Sequence, residues 1–136
     1  MKEEVLSLFK PLQAVQLATC EADQPRLRPM TLIYYLNRFF FATGASDAKS
    51  AQVVMNPKAE CCLLLPEGEY TGYIRMSGVL KQIKDIVLKK AVADVATYIY
   101  HYWSDAADPG YHLYEFYVQK MRYMKPGENL ETDIVL

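Results

Sequence analysis

Residue types that bind anions are concentrated around two apolar segments in the first half of the chain. Arg26 and Arg28 alternate with a leucine, the next apolar segment ends in Thr43, and Lys49 follows six residues later. A guanidinium offers a rigid fork of donors that suits phosphate, and Lys49 lies about one turn into a helix that Ser46 can cap. The spacing favours a phosphate site. The alternative is a half-exposed strand followed by a solvated lysine.

The backbone next to these residues indicates a flat ring beside the phosphate. Pro29 removes a hydrogen-bond donor from the first segment, which favours a sheet edge or a bulge there. Gly44 allows the backbone to approach a ligand closely. Because an irregular edge leaves the N–H and C=O groups of its neighbours free, it suits a planar heterocycle. The combination suggests a phosphate with an aromatic ring attached.

The elements that must position these residues are mostly strands. Alternation of apolar residues and turn signals predict six strands, over residues 14–20, 27–36, 39–43, 59–65, 73–83 and 111–124. Apolar spacing predicts helices over residues 3–10, 46–55 and 84–103. Asn37-Arg38 predicts a tight hairpin turn, and Gly78 predicts a bulge or a close backbone approach. The order of elements indicates a mainly β fold with helices: an antiparallel barrel in a single domain, residues 1–136.

Composition excludes several classes of function. The 136 residues are 51% hydrophobic, which is enough for one compact core. A net charge of −1 argues against a general nucleic-acid binder. No apolar run approaches the ~20 residues that span a bilayer, and no signal peptide is evident, so we expect a cytoplasmic protein without a membrane partner. The odd cysteine count (Cys20, Cys61 and Cys62) fits a reducing compartment and plain core packing.

Aromatic residues are crowded in the C-terminal third, where they would form a dimer interface, a pocket wall or helix-on-barrel packing. Trp103 is the best single candidate for a residue beside a bound ring. His101 is a candidate proton donor, but a structural or surface role is the favoured interpretation of it. Neither His101 nor His112 has a second ligand at helical spacing, so no metal site is expected.

The ordered set of these motifs resembles the pyridoxamine 5'-phosphate oxidase-like superfamily, the FMN-binding split barrel. The resemblance rests on residues 19–25, 26–30 and 39–43, on Lys49, and on residues 56–57. It is good over residues 14–78 and weaker afterwards. The C-terminal segment rich in Trp, Arg and Pro that true oxidases share is missing here, so the chain looks more like the small general-stress and nitroimidazole-reductase relatives.

The resemblance implies a six-stranded antiparallel split β-barrel with flanking helices that forms a homodimer with FMN at the interface. By position, Arg28 and Lys49 would hold the phosphate, while Ala42 and Thr43 would flank the isoalloxazine ring. The ring would be lined by the backbone of three further residues: Pro29, Met30 and Thr31. Ser46 stands one position earlier than the serine of the family and would substitute for it. Trp103 would lie near the flavin of the partner subunit.

The implied function is an FMN-binding oxidoreductase that reduces a small molecule and does not form pyridoxal phosphate. NAD(P)H would be its transient reductant, and no side chain is assigned as catalytic. One alternative is a flavin-, deazaflavin- or haem-binding module without turnover. The other is a cofactor-free interaction protein, which the acidic Asp47 next to the expected phosphate site favours.

Overall fold

The structure, a computed structural model, describes residues 1–45 and 56–136. Within these ranges the strands are β1 Leu12–Glu21, β2 Gln24–Tyr35, β3 Arg38–Gly44, β4 Lys58–Glu67, β5 Tyr70–Ile83, β6 Tyr111–Met124 and β7 Thr132–Ile134. The helices are α1 Lys2–Leu6, α2 Ile86–Val95 and a 3-10 helix, Thr97–His101. The helix predicted over residues 46–55 lies outside the described residues. No helix of the described ranges is long and apolar enough to span a membrane.

Six strands form a closed antiparallel ring. The sheet order is β3-β2-β1-β4-β5-β6-β7, and an additional pairing of β3 with β6 closes it. This confirms the predicted six-stranded antiparallel split barrel with flanking helices. β7, which the sequence prediction missed, lies outside the ring and pairs with β6.

The inside of the ring is filled by every second residue of its strands, as expected for strands with one buried face. Examples are Leu17 on β1, Phe41 on β3, Ile74 and Met76 on β5, and Phe116 on β6. The same alternation places Cys61 in this core and Cys62 on the outer face, which confirms core packing for Cys61. Burial raises the pKa of the Cys61 thiol to about 12, so the thiol stays protonated at neutral pH.

A second core lies between the outer face of β3 and β6 and the helical layer. Phe40 on β3 and Leu113 on β6 pack there with Val92 and Ala93 of α2 and with Ile99 of the 3-10 helix. Both faces of β3 are therefore buried. Much of the aromatic cluster in the C-terminal third serves these two cores.

One long helix over residues 84–103 was predicted, and this is wrong. The helix ends at Val95 because Ala96 leaves the helical region, with φ −97° and ψ 69°. The chain then resumes as the 3-10 helix over Thr97–His101. Ala96 and Ile99 are both fully buried in the second core, so tertiary packing imposes the break.

The predicted hairpin turn at Asn37-Arg38 is shifted by one residue. Leu36 and Asn37 both have positive φ, 52° and 58°, and form the turn. Arg38 instead begins β3, pairs with Tyr35 and donates from Nε to the buried carboxylate of Glu115 on β6, at 2.9 Å. The N-terminal helix is also shorter than predicted and ends at Leu6 rather than at residue 10.

Candidate functional site

Strand β2 has an open edge along the part of the chain that carries the predicted site. β1 pairs with β2 from Gln24 to Ile33, whereas β3 pairs only with the short stretch from Ile33 to Tyr35. Over residues 24–32 the other edge of β2 therefore faces no strand of the described residues. Pro29 lies in this stretch, which confirms the sheet edge that its missing donor predicted.

Arg28 lies on the inner face of β2, the face that carries Met30 and Leu32. Its Nη1 donates to Oγ1 of Thr19 at 2.8 Å. Thr19 is buried on the neighbouring strand β1. This bond fixes the direction of the guanidinium at the rim of the barrel.

Pro29 and Thr31 lie on the outer face of β2, opposite in direction to Met30. Pro29 is exposed, while Thr31 and Met30 are half-buried. A ring at this edge would therefore lie against the backbone of β2, between side chains that point to opposite faces of the strand. The structure thus places these three predicted residues together, next to Arg28.

The end of β3 carries the other predicted residues. Thr43 is buried on the inner face, whereas Ala42 is buried on the outer face in the second core. Thr43 is the register partner of His112 on β6, and the His112 ring meets Tyr114 edge-on with centroids 6.3 Å apart. Sequence reasoning treated His112 only as a potential metal ligand and missed its place opposite Thr43. His101, the candidate proton donor, is exposed on the 3-10 helix.

Trp103 contacts the same end of β3 within its own chain. Its ring stacks on Tyr111, with centroids 5.4 Å apart and an interplanar angle of 26°. A Cβ built on Gly44 would lie 3.8 Å from Cζ2 of Trp103. Burial raises the pKa of Tyr111, so its hydroxyl stays protonated beneath the indole. A contact of Trp103 with the flavin of a partner subunit stays a prediction.

The split between β2 and β3 organises the site. The two strands are joined near Ile33 and Phe40, and they diverge toward Arg28 on one side and Thr43 on the other. The structure brings Trp103 to the Thr43 side of this split. Ser46 and Lys49 lie outside the described residues, so their predicted places are untested.

Several solved structures share this fold. General Stress Protein 26 from Bacillus anthracis is 20% identical, with a TM-score of 0.77 over 98% of this chain and 98% of that chain. An FAD-binding protein from Mesorhizobium loti is 13% identical, with a TM-score of 0.75 over 94% of this chain and 95% of that chain. A heme binding protein from Mycobacterium smegmatis is 14% identical, with a TM-score of 0.81 over 97% of this chain and 56% of that chain.

No curated protein sequence matches the chain. The sequence model of one family, described as pyridoxamine 5'-phosphate oxidase, matches residues 1–125. That range includes both strands of the split and extends well beyond the segment over which the motifs alone are clear. The chain therefore belongs to the pyridoxamine 5'-phosphate oxidase family.

Proposed function

We propose that the protein is an FMN-binding oxidoreductase that reduces a small molecule. The observation that carries the proposal is the open edge of β2 at Pro29, with Arg28 fixed beside it by Thr19. Membership of the family supports a flavin, and the fold is shared with a protein named as FAD-binding. We choose FMN because it combines one phosphate with one flat ring, the two features that Arg28 and the open edge suit.

The residues present suit such a ligand. Arg28 and Lys49 would hold the phosphate, and Thr43 and Ser46 would supply hydroxyl donors. The backbone of residues 29–31 would meet the polar edge of the isoalloxazine. Along its open side, β2 has backbone N–H and C=O groups that can pair with polar atoms of the ring. When bound, FMN supplies hydride and electron transfer, and the protein binds it, orients it and excludes water. A nicotinamide nucleotide is the proposed reductant.

A homodimer with FMN at its interface is part of the proposal. Leu27 lies two residues before Pro29 on the same outer face, and 70% of its surface is exposed. We place the second subunit over this leucine, next to the ligand site. Sedimentation of the FMN-loaded protein should give twice the mass of the chain, and a monomer that keeps its flavin would contradict the dimer.

The first test is an absorption spectrum of the purified protein before and after FMN is added. Flavin bands, with quenched fluorescence of the added FMN, are the expected result. A colourless protein that leaves FMN fluorescent would contradict the proposal. Reduction of the bound flavin by NADH or NADPH, and its reoxidation by an added small-molecule acceptor, would then be measured to establish turnover.

Replacing Lys49 with alanine should lower FMN affinity at least tenfold. A charge-assisted contact to phosphate contributes about 1.5–3 kcal/mol, and Lys49 has the position that the family uses for this contact. The Kd would be measured by fluorescence titration. The exposed Lys58 at the start of β4 gives a matched control, and we expect Lys58→Ala to leave affinity unchanged. Equal Kd values for the Lys49 variant and the unsubstituted protein would remove Lys49 from the site.

The second candidate function is cofactor binding without turnover, with a flavin, a deazaflavin or haem. The heme binding protein of the same fold favours this alternative. Haem gives a Soret band and a flavin does not, so the same spectrum separates these ligands. A flavin that binds tightly but is not reduced by either nicotinamide nucleotide would favour binding alone.

A further inference from the structure

A carboxylate just before β7 is held by three side chains on the outer face of the barrel. Glu131 accepts a hydrogen bond from the Tyr73 hydroxyl at 2.6 Å. Arg75 donates to the same carboxylate twice, from Nε at 3.0 Å and from Nη2 at 3.1 Å. Nε of Arg122 lies 3.5 Å from Oε1 of Glu131. Two guanidinium groups, those of Arg75 and Arg122, and the Tyr73 hydroxyl therefore converge on one anion.

The two arginines repel each other unless an anion lies between them. Arg75 on β5 and Arg122 on β6 are direct register partners, and both lie on the outer face of the sheet. Like charges directly opposite each other on neighbouring strands are destabilising. Glu131 offsets this repulsion. Its hydrogen bonds from Tyr73 and Arg75, together with the charge of Arg122, hold the pKa of its carboxyl below the ordinary value.

The segment that supplies Glu131 is attached through few contacts. β7 is three residues long, pairs with β6 only from Met121 to Tyr123, and buries only Ile134. Asp133, which lies 3.4 Å from Nε of Arg122, belongs to the same segment. The carboxylates that neutralise this surface are thus on a short segment that three register pairs and one buried side chain attach to the barrel.

Detachment of this segment would change the charge of the surface. Arg75, Arg122 and the nearby Glu60, 3.7 Å from Nη1 of Arg75, would remain on the ring strands with the Tyr73 hydroxyl. Two positive charges and one negative charge leave a net charge of +1. The guanidinium group of an arginine can bind two oxygens of a carboxylate or a phosphate at once.

We propose that Tyr73, Arg75 and Arg122 form a binding site for a phosphate or carboxylate group, and that Glu131 occupies it as an internal ligand. A ligand that carries such a group competes with Glu131 and releases β7. The bond lengths to Glu131 show that the donors are already arranged for an oxyanion.

This site is separate from the proposed flavin site. Arg75, Cys62, Gln16 and Pro29 are successive register partners across four neighbouring strands. Within one chain, three strand spacings separate Arg75 from Pro29, about 14 Å along the sheet. The inference therefore holds whether or not the protein binds FMN.

Glu131→Gln tests the proposal with inorganic phosphate as the probe. The substitution removes the competing charge, so the Kd for phosphate should fall at least tenfold, measured at constant ionic strength. Chemical shifts of the Nε–H groups of Arg75 and Arg122 report binding at this site and not at Arg28. Glu128→Gln removes the same charge from the same segment and should leave the Kd unchanged. Adding Arg75→Gln to the Glu131 variant should abolish the gain.

The unsubstituted protein gives a second measurement that does not depend on a variant folding. Saturating phosphate should increase hydrogen exchange of the β7 amides, because the ligand displaces Glu131. Unchanged exchange, or a folded Glu131→Gln variant with no gain in affinity, would overturn the proposal. Glu131 would then serve only to attach the β7 segment to the barrel.

Discussion

Replacing Arg28 with glutamine should weaken FMN binding by one to two orders of magnitude. The guanidinium is held at the barrel rim by its bond to Thr19, next to the open edge at Pro29. A fork already fixed in place loses little rotamer entropy when it binds phosphate, and such charge-assisted contacts contribute about 1.5–3 kcal/mol. At 1.4 kcal/mol per factor of ten, this gives roughly 10- to 150-fold. The Kd would be measured from the quenching of FMN fluorescence.

The neighbouring Arg26 offers a matched control on the same strand and the same face. It is exposed, it is the register partner of Thr19, and its Nε pairs with Glu21 at 3.3 Å. Arg26→Gln should change the Kd less than twofold. Equal losses in the two variants would mean that general positive charge attracts FMN, and that Arg28 holds no specific contact.

Replacing Gly78 with alanine should destabilise the protein severely. A Cβ at Gly78 would lie 2.0 Å from the carbonyl oxygen of Tyr117 and 3.1 Å from Cα of Val118. These are backbone atoms of the neighbouring strand, so no rotamer change relieves the clash. The register of β5 against β6 also shifts between Ser77 and Gly78, which confirms the predicted bulge and close approach. We expect a loss of more than about 4 kcal/mol and a fall in Tm of at least ~15 °C.

Thermal unfolding followed by circular dichroism would measure this loss. Gly44→Ala is the control, because the nearest atom to its new Cβ would be 3.8 Å away, an ordinary contact. Its Tm should stay within a few degrees of the unsubstituted protein. A Gly78 variant with an unchanged Tm would show that β5 and β6 can separate at the bulge without cost.

The strands of the ring could be predicted because their burial follows a period of two. The last of them, Tyr111–Met124, was predicted with its observed ends. β7 was missed because only Ile134 of its three residues is buried, too short a pattern to detect. The break at Ala96 was missed because alanine favours helix, and the break depends on how Ile99 packs in the second core.

The candidate site could be predicted where the signal is local. Pro29 marked the sheet edge because a missing N–H is visible in the sequence itself. The bond from Arg28 to Thr19 depends on register, and the position of Trp103 near Gly44 depends on where the helical layer ends. Neither of these arrangements can be predicted from the spacing of residues along the sequence.

The pairing of β3 with β6 also constrains when the protein can fold. Arg38 and Glu115, which meet at this closure, are 77 positions apart. Contacts this distant in sequence form slowly, because a long loop must close first. During synthesis β1 to β3 leave the ribosome well before β6, so Phe40 and Phe41 lack their partner faces until most of the chain has emerged. The ring is thus completed late, and the nascent hairpins must stay free of aggregation until then.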